Sequence, residues 1–212
     1  MNCIGWNCRG CGNNATIREL EVLVKTHIPK FLFLCETRQK SDRVERMRRR
    51  LGLSGFAGCD SDGMSGGLAL FWHESLHVEV KEVTARYIDV HVCESVSGPR
   101  WHATFIYGEP RTDQRQHMWD ALCALRATSD LPWFLMGDFN EALWQHEHLS
   151  FCPRPESQMT AFRDTLLLCE LKDLSFSGLP FTYDNRRSGR ANVRVRLDRA
   201  LADDRWRDID LF

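Results

Sequence analysis

Short apolar segments that end on a polar residue recur along the chain, and they restrict the folds that it can adopt. The segments span 4–6, 31–35, 101–106 and 133–136. The polar residues that end or follow such segments are Asn7, Glu36, Tyr107, Asp138, Asn140 and Asp198. Apolar runs of this length are typical of buried strands. Because each strand leaves the core at its polar residue, we expect these side chains to face a cleft.

The residues between these segments follow helical and strand spacings. Helices are predicted at 13–28, 41–51, 113–127 and 156–170, and further strands at 67–72, 76–83, 87–93, 181–184 and 192–201. Strands outnumber helices, which favours a chain of mixed α and β structure in which two sheets pack together under outer helices. No linker rich in glycine, serine or proline interrupts the pattern, so we predict one domain over residues 1–212.

The first helix and one strand carry the most specific local patterns. Thr16 with Glu19 fits a capping box at the start of the helix, and the spacing places Ile28 on its buried face. In the strand 87–93, apolar residues alternate with polar ones. Because strand side chains alternate between the two faces of a sheet, Asp89 is expected on the polar face.

Charge and hydropathy exclude several broad classes of protein. Lys plus Arg number 28 and Asp plus Glu 29, a net charge of −1. Any nucleic acid would therefore have to be bound by a local basic patch. No apolar run reaches the ~18 residues that a membrane span needs, and the N-terminus lacks the pattern of a signal peptide. We expect an intracellular protein, nuclear or cytoplasmic, without a membrane partner.

Nine cysteines are scattered along the chain, mostly within apolar stretches. A secreted disulfide scaffold is usually smaller and denser in cysteine, so we expect reduced core thiols and no disulfide-linked partner. Cys8 and Cys11 form one C-x-x-C pair. A structural zinc site needs a second pair of soft ligands, and neither His27 nor Cys35 arrives at a paired spacing. Zinc binding is therefore the less favoured interpretation.

The polar residues at the strand ends form a set of hard oxygen donors. They supply three carboxylates and two amides, without a thiolate or an imidazole. Such donors suit Mg²⁺, with Mn²⁺ as an alternative, rather than zinc. Taken singly, an Asp or Asn at a strand end more often starts a turn or caps a helix. The functional interpretation therefore depends on these residues acting together.

Six short motifs occur in a defined order: WNCRG (6–10), CETR (35–38), YGEPR (107–111), GDFNEAL (137–143), GLPFTYDN (178–185) and RLDRAL (196–201). In this order they resemble the endonuclease/exonuclease/phosphatase superfamily, and most of all the endonuclease domains of plant LINE-type (non-LTR) retrotransposons. The resemblance covers essentially the whole chain. It implies the DNase-like fold, a four-layer αββα sandwich of two mixed sheets flanked by helices, in agreement with the elements predicted above.

The resemblance also implies roles for individual residues. Glu36 would be the principal ligand of a catalytic Mg²⁺, with Asn7 beside it. Tyr107 would donate a hydrogen bond to the scissile phosphate. Asp138 would orient or deprotonate the attacking water, and Asn140 would hold the phosphate and the nucleophile. Metal-assisted in-line displacement at phosphorus uses this combination of groups.

Two features depart from the family pattern. Arg9 stands where apurinic endonucleases of the superfamily have an acid that helps to hold the metal. The pattern also ends with a strand that carries Ser-Asp-His, and no Ser-Asp-His occurs in this chain. Asp198 is the strand-borne acid that supports this histidine in the family. We therefore expect a missing last strand and a weakened or lost activity, since a positioned acid or base contributes ~10²–10⁴ in rate.

Arginines are concentrated after the fourth motif, at positions Arg186, Arg187, Arg190, Arg194, Arg196 and Arg199. The first three, together with Arg38, are the candidates for contacting DNA phosphates. A solvated hairpin with alternating exposed arginines on the strand 193–199 explains the cluster equally well. DNA is the expected partner, and the chain is expected to be a monomer.

Three functions compete for this sequence. The first is a Mg²⁺-dependent phosphodiesterase domain, derived from a LINE-like element, that nicks DNA. The second is a non-catalytic remnant that still binds metal or nucleic acid. The third is a superfamily phosphatase that acts on a small phosphorylated substrate. The similarity of the motifs to those of retroelements disfavours the phosphatase. The absence of Ser-Asp-His leaves the non-catalytic remnant as an alternative to the endonuclease.

Overall fold

The computed structural model describes residues 2–63, 65–95 and 98–209, which divide into two compact units. The first unit contains the described residues up to Tyr107 together with Asp208 and Ile209, and the second spans Gly108–Arg207. The candidate site residues are distributed over both units. A single endonuclease domain over residues 1–212 stays a prediction.

The first unit is built on a mixed sheet with a continuous apolar strand at its centre. Its elements are β1 (Cys3–Asn7), α1 (Asn14–His27), β2 (Phe31–Cys35), α2 (Ser41–Glu45), β3 (Gly55–Asp62), β4 (Ser65–Trp72), β5 (His77–Val83), β6 (Tyr87–Cys93) and β7 (Arg100–Tyr107). The sheet has the order β1-β2-β4-β3, with β1 and β2 parallel and the other pairs antiparallel. Strands β5, β6 and β7 pair antiparallel in that order.

The core of the first unit forms around β2, in which all five side chains are buried. Strands buried on both faces consist of continuous apolar residues rather than alternating ones. The rings of Phe31 and Phe33 lie 5.1 and 5.6 Å from that of Phe105 on β7, measured between centroids. These contacts pack the first half of β2 against β7.

The second unit has two antiparallel sheets and two long helices. Its elements are α3 (Arg115–Thr128), β8 (Trp133–Asp138), β9 (His148–Ser150), α4 (Glu156–Leu168), β10 (Lys172–Asp173), β11 (Tyr183–Asp184), β12 (Val193–Val195), β13 (Asp198–Ala202) and α5 (Asp204–Arg207). One sheet contains β10-β13-β8, and the other has the order β11-β12-β9. Helices α3 and α4 pack through Trp119 and Phe162, whose rings stack with centroids 4.6 Å apart.

The first helix begins three residues earlier than its predicted capping box. Asn13 is the N-cap residue, and its side chain accepts a hydrogen bond from the backbone N–H of Thr16 at 2.7 Å. Asn is at least as good an N-cap as Thr, so the capping box of Thr16 with Glu19 is wrong. Ile28 is also misplaced, because it is the left-handed C-cap residue and is 73% exposed. The following proline disfavours a helical conformation at that position.

Asp89 is buried rather than exposed, which corrects the expectation from the alternating pattern. Thr104 Oγ1 donates a hydrogen bond of 2.6 Å to Asp89 Oδ1, and His102 Nε2 lies 2.6 Å from the same oxygen. Asp89 is directly opposite Thr104 in the β6–β7 pair. Buried polar groups need such partners, and here the neighbouring strand supplies them.

Several other elements also differ from the prediction. The helix predicted over 41–51 ends at Glu45, although Val44, Met47 and Leu51 are all buried. Strand β3 was not predicted, because its sequence GFAGCDSD lacks an apolar alternation. The strand predicted over 192–201 is two strands, because the N–H of Arg196 donates to Glu147 O and Leu197 O accepts from the N–H of Phe139.

All nine cysteines are free thiols. Cys8, Cys11, Cys35 and Cys169 are buried and Cys152 is exposed, so about half of the thiols belong to the core. In the described part of the chain, no helix has both the length and the apolar character that crossing a membrane requires.

Candidate functional site

Asn7 and Glu36 meet where two parallel strands end. β1 and β2 pair with Asn7 opposite Cys35, so that Glu36 follows immediately beside Asn7. Asn7 Nδ2 donates a hydrogen bond of 3.0 Å to Glu36 Oε1. The carboxyl ends of neighbouring parallel strands share one sheet edge, which is the usual position of a ligand site in such sheets.

Two further side chains of the first unit bond to the Glu36 carboxylate. The hydroxyl of Tyr107, the last residue of β7, donates to Oε1 at 3.0 Å. Arg38 Nη2 donates to Oε2 at 2.9 Å. Burial would raise the pKa of Glu36, but the hydrogen bonds from Asn7, Arg38 and Tyr107 outweigh it and hold this pKa below its ordinary value. Glu36 is therefore an ionised carboxylate at neutral pH.

The backbone that carries Glu36 is in a conformation that costs energy. Glu36 and Arg38 both have a φ of 52°, in the left-handed region that side-chain-bearing residues rarely adopt. The N–H of Gly10 donates to Glu36 O at 2.8 Å, and the N–H of Thr37 donates to Gly67 O at 3.1 Å. Gly67 permits this approach, since a Cβ there would lie 2.3 Å from Thr37 Oγ1. Strain of this kind is concentrated at functional sites.

Glu36 and the three side chains bonded to it, Asn7, Arg38 and Tyr107, are called the Glu36 group, and this group fits a hard divalent cation. Protein sites for Mg²⁺ commonly use one or two carboxylates and complete the coordination with water and substrate phosphate. A carboxylate has about four lone-pair positions, and three hydrogen bonds leave room for one more ligand bond. Across residues 2–63, 65–95 and 98–209, no group of three or more His, Cys, Asp or Glu side chains could hold a metal. The hard oxygen donors of Glu36 and Asn7 fit a cation such as Mg²⁺.

A second polar group lies at the end of β8. Asp138 is buried, and its Oδ1 accepts a hydrogen bond of 2.9 Å from the backbone N–H of Asn140. Asn140 has a left-handed φ of 56°, and its Nδ2 donates to Gly108 O at 2.9 Å. The N–H of Gly108 donates to Asp138 O at 2.6 Å. Gly108 is therefore bonded through its N–H to Asp138 and through its carbonyl oxygen to Asn140.

Asp198 lies in the same group. It is the first residue of β13 and is directly opposite Asp138 in the antiparallel pair with β8. Thr182 Oγ1 accepts hydrogen bonds of 3.0 Å from the N–H groups of Leu197 and Asp198. The register of this strand pair places the two aspartates beside each other at the end of β8.

Sequence reasoning missed three residues behind this second group. Glu141 is completely buried, and Arg115 and Arg154 are both ion-paired to it. Burial lowers the pKa of the Arg115 guanidinium, and the neighbouring Glu141 only partly offsets this shift. The detectable signal was the acidic residue inside the otherwise apolar end of GDFNEAL, since buried acids are nearly always paired.

The six clustered arginines divide into exposed and buried ones. Arg186, Arg187 and Arg190 are exposed beside the turn between β11 and β12, and Arg38 instead contacts Glu36. Arg196 and Arg199 are buried, and both pair with Glu147 and Asp173. The expectation of alternating exposed arginines is met by Arg194, which is exposed and pairs with Asp184. It is wrong for Arg196 and Arg199, because the buried Glu147 and the partly buried Asp173 hold their guanidinium groups inside the unit.

Solved structures with the same fold come from DNA-processing proteins. The AP endonuclease LMAP from Leishmania major is 16% identical, with a TM-score of 0.73 over 96% of this chain and 79% of that one. The endonuclease domain of TRAS1, a telomere-specific non-LTR retrotransposon, is 15% identical, with a TM-score of 0.68 over 96% and 85%. The 3′ phosphatase NExo from Neisseria, bound to a product DNA hairpin, is 18% identical, with a TM-score of 0.67 over 96% and 87%.

These likenesses confirm the predicted α+β fold class, with mixed sheets flanked by helices in the DNase-like arrangement. A search of curated proteins finds no match. The model of the endonuclease/exonuclease/phosphatase family matches residues 4–211. Since this match spans nearly every residue, the chain belongs to the endonuclease/exonuclease/phosphatase family.

Proposed function

We propose that the chain is a divalent-metal-dependent endonuclease that hydrolyses phosphodiester bonds in DNA. The observation that carries the proposal is the Glu36 group. It presents an ionised carboxylate at a sheet edge, held by Asn7, Arg38 and Tyr107 within 3.0 Å. Such a group is suited to binding a hard cation and a phosphate together. The fold shared with an AP endonuclease and a retrotransposon endonuclease supports the same activity.

Residues of the first unit would bind the metal and the phosphate. Glu36 and Asn7 would hold Mg²⁺ or Mn²⁺, which when bound neutralises charge on the phosphate. The Tyr107 hydroxyl donates to Glu36 here and can donate to a phosphate oxygen instead. Arg38 places a guanidinium at the same carboxylate, and its fork of N–H donors matches phosphate oxygens well. These residues orient the scissile bond.

Residues of the second unit would act on the nucleophile. Asp138 would orient the attacking water and accept its proton, since its carboxylate is buried and aligned by the Asn140 N–H. The Asn140 amide would donate a hydrogen bond to the phosphate or the water. Asp198, directly opposite, would support the hydrogen bonds around Asp138.

The exposed arginines offer a surface for the DNA backbone. The guanidinium of Arg190 lies 4.6 Å from the ring centroid of Phe151, which is 62% exposed. Arg186 and Arg187 lie at the same turn, so the three arginines would form a local basic patch in a chain whose net charge is −1. Phosphate contacts of this kind give affinity without sequence preference. The NExo complex with a DNA hairpin supports DNA as the partner.

The motifs, rather than the fold, support the proposal of a retroelement origin. The ordered set from WNCRG to RLDRAL resembles the endonuclease domains of plant LINE-type elements, and the TRAS1 domain shares the fold. We propose that the chain derives from such an element and acts as a monomer on DNA. A phosphatase activity on small substrates has no observation of its own in its favour.

Nicking of supercoiled plasmid in Mg²⁺, with Mn²⁺ binding measured by calorimetry, tests the proposal. Glu36→Gln removes the anionic ligand and should abolish both signals. Glu45→Gln, an exposed position on α2, is the matched control and should change neither. Metal binding without any nicking would favour the non-catalytic remnant. Equal Mn²⁺ affinity in wild type and Glu36→Gln would remove Glu36 from the metal site.

A further inference from the structure

A buried ion cluster adjoins the segment from Asp138 to Asn140. Glu141 is fully buried, and Arg115 Nη1 donates to its Oε2 at 2.6 Å. Arg154 Nε forms an ion pair with Glu141 Oε1. We propose that Arg115, Glu141 and Arg154 are positioning residues that hold Asn140 in its strained conformation for the reaction. The last step of this inference rests on the proposed endonuclease function.

Arg115 bonds to the same two segments that the Asn140 side chain connects, the one that begins at Gly108 and the one that contains Asn140 and Glu141. Its Nε donates to Glu109 O at 3.0 Å, and its Nη2 donates to Pro110 O at 3.1 Å. These residues follow Gly108, whose carbonyl oxygen accepts the bond from Asn140 Nδ2. One guanidinium therefore bonds to the two residues that follow Gly108 and to the residue that follows Asn140.

Arg154 acts on Asn140 directly. Its Nη2 donates to Asn140 O at 3.4 Å while its Nε pairs with Glu141. The forked guanidinium can bond to both groups at once, whereas the single ammonium of lysine cannot reproduce this geometry. The N–H, the C=O and the side chain of Asn140 are thus all bonded, which explains how its positive φ is maintained.

Positioning accounts for this cluster better than stability does. Buried ion pairs often contribute no more stability than apolar residues of the same size. The buried or nearly buried charges instead connect the strained Asn140 to the segment that follows Gly108. Arg154 bonds to Asn140 O, and Arg115 links Glu141 to Glu109 and Pro110. Functional groups need this kind of support, because side chains that are not held by their neighbours lose the geometry of the reaction.

Amide hydrogen exchange by NMR, on the full chain, separates positioning from general stability. The measured quantity is exchange of the Asn140 N–H relative to that of Leu135 in the middle of β8. Arg154→Met should raise this ratio about tenfold or more, and Arg154→Lys should give an intermediate value, because only part of the bonding is kept. Arg126→Met is the matched control, since Arg126 is 19% exposed and pairs with Glu170 and Asp203.

Nicking kinetics add the functional readout. Arg154→Met should lower kcat with little change in KM, because misplacement by about 1 Å can cost ~10² in rate. An unchanged exchange ratio in Arg154→Met, or an equal change in the Arg126→Met control, would overturn the inference, as would an altered ratio with normal kcat. A wild-type chain that does not nick DNA would overturn the proposed function, and the exchange ratio would still decide whether the cluster positions Asn140.

Discussion

Replacing Gly108 by alanine tests the close contact that sets the segment from Asp138 to Asn140. An alanine Cβ would lie 2.3 Å from Phe139 O and 2.6 Å from its carbonyl carbon. These are backbone atoms between the two site residues, so they can move only by displacing them. Overpacking of this kind costs ~1–3 kcal/mol, and each kcal/mol lowers Tm by about 2–4 °C in a chain of this size.

Calorimetric melting and plasmid nicking, measured on the same samples, provide the assay. Gly108→Ala should melt at a lower temperature and lose about 10² in nicking rate, because the Asn140 amide and the Asp138 carboxylate move together. Gly12→Ala is the control, since its Cβ meets only the flexible end of Gln39, at 2.6 Å. If the two variants have the same Tm and the same nicking rate, the contact does not set the site.

Three other changes have defined outcomes. Glu147→Gln should lower the free energy of unfolding at pH 7 by ~3–5 kcal/mol, because Arg196 and Arg199 lose their buried anion. Burial would raise the pKa of Glu147, but the hydrogen bond and charge of Arg199 outweigh this effect, and the net pKa is lowered. The ionised form therefore adds stability at pH values above the unfolded pKa of about 4.3. The difference in the free energy of unfolding between wild type and Glu147→Gln, measured by urea unfolding, should therefore shrink as the pH is lowered. A difference that does not change with pH would contradict this. Arg190→Ala should weaken DNA binding for all sequences and reduce the salt slope by about 1, whereas Arg46→Ala should not, as gel-shift titrations can establish. Fusing a family-like strand with Ser-Asp-His to residue 212 should raise the nicking rate by ~10²–10³, the contribution of one stabilising donor, and an unchanged rate would show that another group replaces this histidine.

Local patterns were sufficient to predict most elements and the grouping of some candidate residues. Buried strands such as β2 and β8 were predicted because continuous apolar runs have few alternatives. Asn7 and Glu36 were expected together because each ends such a strand, and the structure places them 3.0 Å apart. Their catalytic roles stay predictions, as does the action of both units on one phosphodiester bond.

Residues whose surroundings come from distant segments were not predictable. Asp89 follows an alternating pattern, but its burial depends on partners in β7. Arg199 looks like a surface residue until Glu147, 52 positions earlier, is placed beside it. Glu141 was unpredictable for the same reason, since Arg115 and Arg154, which pair with it, are distant in sequence. Periodicity reports which face a residue lies on, and it carries no information on which charges meet there.

Metal-dependent nicking by an Asp138 variant tests the central claim most directly. Asp138→Asn keeps the size of the side chain and the acceptor for the Asn140 N–H, but it removes the carboxylate that would take the proton from water. Asp164→Asn, at an exposed position on α4, serves as the control. The account predicts weak Mg²⁺-dependent nicking by wild type and by Asp164→Asn, abolished by EDTA and reduced by ~10²–10⁴ in Asp138→Asn. Equal nicking by wild type and Asp138→Asn would contradict it.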